Sequence, residues 1–519
     1  MSRLTRAALP ALSAWLTEKR PLGFSLTQTQ IAVAASDGTS WVSNLGHDEF
    51  SREILTMLGN SGRRIWSEMA GRAAIRLART LNLEVGELDW MSDVTTARNV
   101  VYPGVPFTPN NRGAALNAVA AARFMVGLTA DAPLPTRDAV LSSCAQEKLW
   151  RPRQARGWRV DVALLERELA AATTAQARAR AELGFDMTDT STASGSAAIH
   201  EWLARVGIAV VDRNNNPSLV RDNYDKTVIP KTPEAAQAWA TFRRVRSIAS
   251  RIGKLREIKA ALRGDRIFST VFIRSTRTGR GTVVKPALQN INRDLRPLLI
   301  ADEGRVLCSL DFEQVEPRVL AALAGDTAMA AALEAGDIYA ELAKTINGPA
   351  CLDAEGIVTA EARAQAKAAL LGILYGKGIP AIASSLGVDR TRAKWIIDSM
   401  WDAYPGLRQY VDGLRADMIA GTPDLTPDGR PLPRVKELHV ILNHRIQSSA
   451  ADVFYQAIAR VAAHIPTDYL FLGIHDELVL SVPAGRTEFA KRALAEMNTV
   501  FHGIPIRGQA VELGIAWKK

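Results

Sequence analysis

The stretch Val306-Leu307-Cys308-Ser309-Leu310-Asp311-Phe312-Glu313-Gln314-Val315-Glu316-Pro317-Arg318 decides how this chain is read. Residues 306–310 form an apolar, strand-like run that ends on Asp311, and residues 312–317 open a helix that continues through Ala324. Pro317 suits a first helical turn, where its missing N–H has no partner to lose. An acid at the end of a buried strand sits on a rigid edge facing a cleft, the place for a metal ligand. The same acid is also an ordinary helix N-cap, and both readings stand at this point.

A second acidic site lies at residues 470–482. Leu470, Leu472 and Ile474, then Leu478, Leu480 and Val482, alternate around Gly473 and His475-Asp476-Glu477, the pattern of a β-hairpin with its acids at the turn. Such acids are commonly just solvated, but Asp311 and Asp476 brought together across a sheet could hold two Mg²⁺ ions about 3.5 to 4 Å apart. Between these sites, Thr359-Ala360-Glu361 starts a run of strong helix formers that ends near Gly376 and Gly378. It sets Arg363, Lys367, Leu371 and Tyr375 at four-residue spacing, which lines them up as one slanting stripe. Two cations one turn apart repel, so the stripe is odd for a core face and apt for a triphosphate laid lengthwise. The plainer alternative is an amphipathic surface helix with Tyr375 packed inward.

The 519 residues allow two or three compact units. With 47% hydrophobic and 23% charged residues and a mean hydropathy of −0.03, the chain can bury a large core and is neither disordered nor collagen-like. Its 64 basic residues against 54 acidic give a formal charge of +10, which favours a polyanionic partner without identifying it. Cys144, Cys308 and Cys351 are too scattered for a disulfide framework or a thiolate metal cage, which fits a cytoplasmic location. No apolar run approaches the roughly 20 residues of a membrane span. Residues 1–16 carry Arg3 and Arg6 without an acid; an amphipathic first helix is preferred here to a transit peptide.

Residues 21–45 read as two strands, 24–35 and 40–45, joined at Asp37-Gly38, with helical patterns to about residue 128. Residues 129–136, with Pro133 and Pro135, are the candidate linker. Residues 151–285 read mostly as helix. Within 241–266 stand Arg243, Arg244, Arg246, Arg251, Lys254, Arg256, Lys259, Arg263 and Arg266, followed by Arg274, Arg277, Arg280 and Lys285 with Gly279 and Gly281. Such a run is usually a solvated face. The glycine-containing basic loop behind it favours phosphate-backbone binding.

These sites, in this order, resemble motifs A, B and C of family A DNA polymerases, the bacterial DNA polymerase I type. Motif A corresponds to residues 311–318. Motif B corresponds to Arg363, Lys367, Leu371-Gly372 and Tyr375-Gly376, and motif C to His475-Asp476-Glu477. Thr278-Gly279-Arg280, Pro286-Ala287-Leu288-Gln289-Asn290-Ile291, Asn443, Gln447 and Ala451-Asp452 fit the same family, and the likeness extends from about residue 140 to 519, including residues 157–161. The resemblance implies an α+β right-hand polymerase: thumb about 160–285, palm about 286–324 and 426–519, fingers about 325–425. An N-terminal α/β, RNase H-like exonuclease domain would occupy residues 1–135.

Carried over by position, the resemblance implies that Asp311, Asp476 and the Phe312 carbonyl bind two Mg²⁺ ions, replaceable by Mn²⁺. Arg363 and Lys367 would grip the triphosphate of a dNTP, with Lys367 able to protonate the leaving pyrophosphate. Glu316 would be the gate that excludes a ribose 2′-hydroxyl. Gln314, Leu371 and Tyr339 complete the nucleotide-binding set. Arg280, Gln289, Asn290, Tyr375, Gly376, Asn443, Gln447 and His475 would meet primer–template DNA, and Glu477 would steady the metal site. A monomer without membrane attachment, working with unidentified replication factors, is expected.

Three positions depart from the family pattern. Leu371 replaces an aromatic residue, so a contact with the incoming sugar is lost. Tyr339 stands where the family often has a histidine; a phenol donates one hydrogen bond but cannot become cationic. Glu313 adds negative charge where a small residue is common. The N-terminal region lacks the strand-borne Asp-x-Glu that a nuclease site needs, since residues 21–36 contain no acid. It is expected to be degenerate, with no 5′-nuclease module upstream. A phage-type single-subunit RNA polymerase is the alternative enzyme; Glu316 and the residue 278–291 segments argue against it. A non-catalytic DNA-binding accessory should have lost the acids at 311 and 476.

Overall fold

The computed structural model describes residues 2–3, 9–16, 22–26, 30–35, 40–44, 49–60, 65–67, 91–93, 134–183, 193–211, 216–219, 228, 230–374 and 376–518. The N-terminal strands β1 (Ser2–Arg3), β2 (Leu22–Leu26), β3 (Gln30–Ala35), β4 (Ser40–Asn44), β5 (Ile65–Ser67) and β6 (Met91–Asp93) form one sheet in the order β1-β4-β3-β2-β5-β6. The single strand expected over 24–35 is in fact two, because Leu26 pairs with Ile31 and Leu22 with Ala35 in an antiparallel ladder. Strands β2, β5 and β6 run parallel, so this sheet mixes both pairings. The expected linker is a second correction: a helix, Leu134–Leu149, already begins inside it. Residues 129–133 and most of the helical pattern up to 128 lie outside the described residues.

Further along the chain come β7 (Trp158–Val160), β8 (Arg266–Ile267), β9 (Thr270–Phe272), β10 (Thr282–Val284), β11 (Leu299–Ile300), β12 (Arg305–Phe312), β13 (Leu470–Ile474), β14 (Glu477–Pro483), β15 (Thr499–Phe501), β16 (Ile504–Ile506) and β17 (Gly508–Gly514). The chain divides into two compact units. The second comprises Trp158–Phe268, Asn290–Ile300 and Ala516–Lys519. Its sheet, β11-β7-β8, accompanies the helices Val162–Leu183 and Pro233–Ala261. Five cations of the basic run are ion-paired within this unit: Arg251 with Glu168, Lys259 with Glu166, Lys254 with Glu257, Arg244 with Glu182 and Arg266 with Asp265. The basic run is therefore partly an intramolecular ion-pair network rather than an open phosphate track. Residues 269–289 belong to the first unit.

In the first unit, β13, β14, β12 and β17 form an antiparallel four-stranded sheet in that order. The period-2 alternation along β12 sends Cys308, Leu310 and Phe312 into a core shared with Leu478, Leu480 and Val482 of β14. That core is completed by Val453, Phe454, Ala457 and Ile458 of the helix Leu438–His464. Ser309, Asp311 and Glu477 consequently share the opposite face. A separate core around Leu333, Ile338, Leu342, Ala366, Leu370 and Met400 holds together the helices between residues 327 and 420.

Candidate functional site

Strand β12 delivers Asp311 at its penultimate position, where it pairs with Glu477 across the β12–β14 ladder. The chain then turns sharply. Gln314 takes the left-handed conformation (φ 50°) as N-cap of the helix Val315–Ala324, so the cap is Gln314 and Asp311 remains on the sheet. Arg318 clamps this turn: buried, it donates to the carbonyls of Glu313 (3.2 Å), Leu333 (3.2 Å) and Pro505 (2.9 Å) and pairs with Glu334. Gln314 donates to Gly336 O at 2.9 Å, while Glu313 is exposed.

The hairpin β13–β14 turns at His475 and Asp476, as its alternation indicated. His475 carries φ 56°, a strained value for a non-glycine residue, and the Phe312 N–H donates to Asp476 O at 3.4 Å. Burial first, and then the neighbouring Asp311, push the Asp476 carboxyl up to about 6, with Arg280 pulling the other way. Glu477 is buried and accepts a 2.6 Å hydrogen bond from Ser309 Oγ, which holds its carboxylate within the sheet face. Among the described residues no cluster of three or more His, Cys, Asp or Glu side chains converges on one point. The available donor set is thus two carboxylates and backbone oxygens. Hard oxygens around two mutually repelling acids fit a divalent cation such as Mg²⁺.

Glu316, in the first turn of its helix, is ion-paired with Arg280. Arg280 is carried by the loop between β9 and β10, and the anchoring of that loop was not foreseen. Arg274, expected to be an open phosphate ligand, is buried. It pairs with Asp452, donates to Ser143 Oγ at 2.7 Å and lies 4.8 Å from the Tyr455 ring centroid. Arg430 joins the same carboxylate at 3.2 Å, and its guanidinium is so close to Gly279 that a Cβ there would approach within 2.7 Å. Gly281 lies likewise under the Tyr455 hydroxyl, which a Cβ would approach to 2.5 Å. The glycines around Arg280 therefore serve close packing, Gly279 against Arg430 and Gly281 against Tyr455 of the helix Leu438–His464. A cleft lined by Arg280, Gly281, Tyr455, Gly473 and His475 opens beside this loop.

The helix Ala360–Leu374 carries Arg363, Lys367 and Leu371; Tyr375 lies outside the described residues. Arg363 and Lys367 are exposed, and both cations stand 5.4 Å from the centroid of the buried Tyr339 ring. Arg363 is also ion-paired with Asp337, which caps the helix Ile338–Asn347 through Tyr339 N at 3.0 Å. Gly376 (φ 75°) packs against His439, whose ring a Cβ would meet at 2.4 Å. Asn443 donates to Leu374 O (3.1 Å) and His439 O (2.8 Å), finishing this helix. Gln447 is half-buried on the same long helix. Gln289 accepts from Val283 N at 2.9 Å, and Asn290 falls in the second unit.

The family model for DNA polymerase family A matches residues 224–519, more than half of the chain. The chain belongs to DNA polymerase family A. Its relatives include the DNA polymerase of Mycobacterium phage D29, 31% identical over 255 residues, or 48% of this chain and 41% of that protein. The thermostable DNA polymerase I of Thermus filiformis is 30% identical over 264 residues, 46% of this chain and 31% of that protein. The matched part thus spans less than half of either relative. The POL domain of Pol1 from M. smegmatis shares the fold over 100% of this chain and 99% of that one, with a TM-score of 0.78 at 19% identity. The α+β polymerase fold expected of a family A member is the fold observed. No helix among the described residues is long and apolar enough to cross a membrane.

Proposed function

We propose that this protein is a template-directed DNA polymerase that adds deoxynucleotides to a primer 3′-hydroxyl. The observation that carries the reading is the placement of Asp311 and Asp476 side by side at one end of the β13-β14-β12-β17 sheet, within the family A region. Asp311, Asp476 and the Phe312 carbonyl would hold divalent cations, two Mg²⁺ ions replaceable by Mn²⁺, which when bound activate the hydroxyl and neutralise the departing pyrophosphate. Arg363 and Lys367 bind the triphosphate, and Lys367 Nζ is the proton donor to the leaving group. Glu316, steadied by Arg280, occupies the room a 2′-hydroxyl would need.

Primer–template DNA and dNTPs are the partners this reading requires, and the related POL domain from M. smegmatis was solved with DNA primer-template and dNTP. Arg280, Gln289, Asn290, Tyr375, Gly376, Asn443, Gln447 and His475 are assigned to the DNA, Gln314, Leu371 and Tyr339 to the nucleotide. On this reading the thumb is assigned to about residues 160–285, the palm to about 286–324 and 426–519 and the fingers to about 325–425, the enzyme is taken to act as a cytoplasmic monomer, and the N-terminal sheet is read as a nuclease relic. Strand β2, Leu22-Gly23-Phe24-Ser25-Leu26, supports the last point, since it carries no acid.

Extension of a labelled primer on a DNA template with dNTPs and Mg²⁺ tests the proposal. Extension that disappears in Asp476→Ala is expected. Full activity of that variant refutes the catalytic assignment, and efficient use of NTPs in place of dNTPs refutes the choice of substrate.

A further inference from the structure

We infer that Asp337 is a latch on the triphosphate seat: its carboxylate holds Arg363 through Nε and competes with an incoming polyphosphate for the cation. The inference rests on the nucleotide-binding reading above and concerns a residue to which that reading gives no role. The two cations of the stripe are not equivalent. Lys367 lies against the Tyr339 ring and, among the described residues, has no carboxylate partner. Arg363 lies against the same ring and is ion-paired with Asp337 Oδ2.

The geometry makes the latch a separable function of Asp337. Its Oδ1 accepts from Tyr339 N at 3.0 Å and caps the helix Ile338–Asn347, while Oδ2 meets the guanidinium. One carboxylate therefore fixes the helix that presents the Tyr339 ring and also neutralises the cation stacked on it. An anion arriving at Arg363 either exchanges with Oδ2 at Nε or binds the remaining guanidinium N–H groups against the charge of Asp337, whereas Lys367 is open to it. Because Arg363 and Asp337 are both partly exposed, the exchange is inexpensive and the latch is a bias rather than a block. It weakens by the same factor every ligand that seats a polyphosphate at Arg363, product pyrophosphate included. A dNTP, which also pairs with a template base, has further contacts with which to overcome it.

Asp337→Asn is the discriminating variant, since asparagine caps helices as well as aspartate and removes only the charge. Removing an exposed competing charge should lower the KM for dNTP about two- to fivefold with kcat unchanged. Inorganic tripolyphosphate should bind the variant more tightly by the same factor, measured by calorimetry on the full chain. In an Arg363→Ala background the substitution should change neither value. An unchanged or raised KM, unchanged or undetectable tripolyphosphate binding, or the same gain without Arg363 would overturn the latch. The calorimetry decides it independently of activity: failure of the wild type to extend primers refutes the polymerase reading, whereas normal extension with an unresponsive Asp337→Asn refutes only the latch.

Discussion

Asp311 faces Glu477 directly across the β12–β14 ladder, and Glu477 is the chain neighbour of Asp476. Asp311, Asp476 and Glu477 thus lie near one end of a sheet whose other face is apolar core, without their carboxylates converging on one point. They are not equivalent: Ser309 ties Glu477 into the sheet face, while burial and Asp311 make ionised Asp476 unfavourable. The sheet holds negative charge in a place where a proton or a cation relieves it.

This gives a pH-dependent stability with a definite sign. The folded-state value for Asp476, about 6, exceeds the ordinary 3.8. The protonated group therefore contributes stability below the unfolded value that is lost as pH rises through the folded one. In metal-free protein, Asp476→Asn should stabilise by on the order of 1–3 kcal/mol at about pH 7.5, and the gain should vanish near pH 4. Denaturant melts in EDTA at the two pH values check this; an equal difference at both would refute it.

Asp452 presents the opposite case. Burial raises its carboxyl, but Arg274 and Arg430 more than offset this and hold it below its usual range. Asp452→Ala would strand two buried guanidiniums and release the loop bearing Arg280. A loss of about 3–5 kcal/mol is expected, read from the shift in denaturation midpoint at neutral pH. A loss below about 1 kcal/mol would mean that the arginines find other partners or water.

How far these features could be read from the chain depended on the reach of each signal. Asp311 and the His475-Asp476 turn were legible because strand alternation and a two-residue hairpin are written in adjacent residues. Arg274 was misread because its partner Asp452 is 178 positions away, and a count of local charge cannot see it. The same holds for Arg251 and Glu168, 83 positions apart. The break between β2 and β3 was missed because Thr27-Gln28-Thr29 contains neither glycine nor proline. Asp337 stood in plain view, two residues before Tyr339, but its link to Arg363 requires the packing of two helices.

Glu316 offers a contrast between volume and charge. If it excludes a 2′-hydroxyl by filling space, Glu316→Ala should raise ribonucleotide incorporation at least about tenfold. Glu316→Gln keeps the volume while losing the full ion pair with Arg280, so it should stay selective. Single-nucleotide insertion kinetics with matched dNTP and NTP decide the matter. A glutamine variant as permissive as alanine would show that the pairing with Arg280, not bulk, sets sugar choice.

Leu371 is the remaining anomaly of the stripe. It is half-buried one turn beyond Lys367 on the helix Ala360–Leu374, with the close contact of Gly372 and Ile382 just behind it. A leucine there can pack against an incoming sugar but cannot hydrogen-bond to it. A tyrosine would add a hydroxyl able to replace the bond that a dideoxynucleotide lacks at its 3′ position. Leu371→Tyr should therefore narrow the preference for dNTP over ddNTP by about tenfold, equivalent to roughly 1.4 kcal/mol, chiefly through ddNTP insertion. Competition between the two nucleotides in primer extension measures the ratio. Equal ratios for variant and wild type would show that position 371 does not face the sugar.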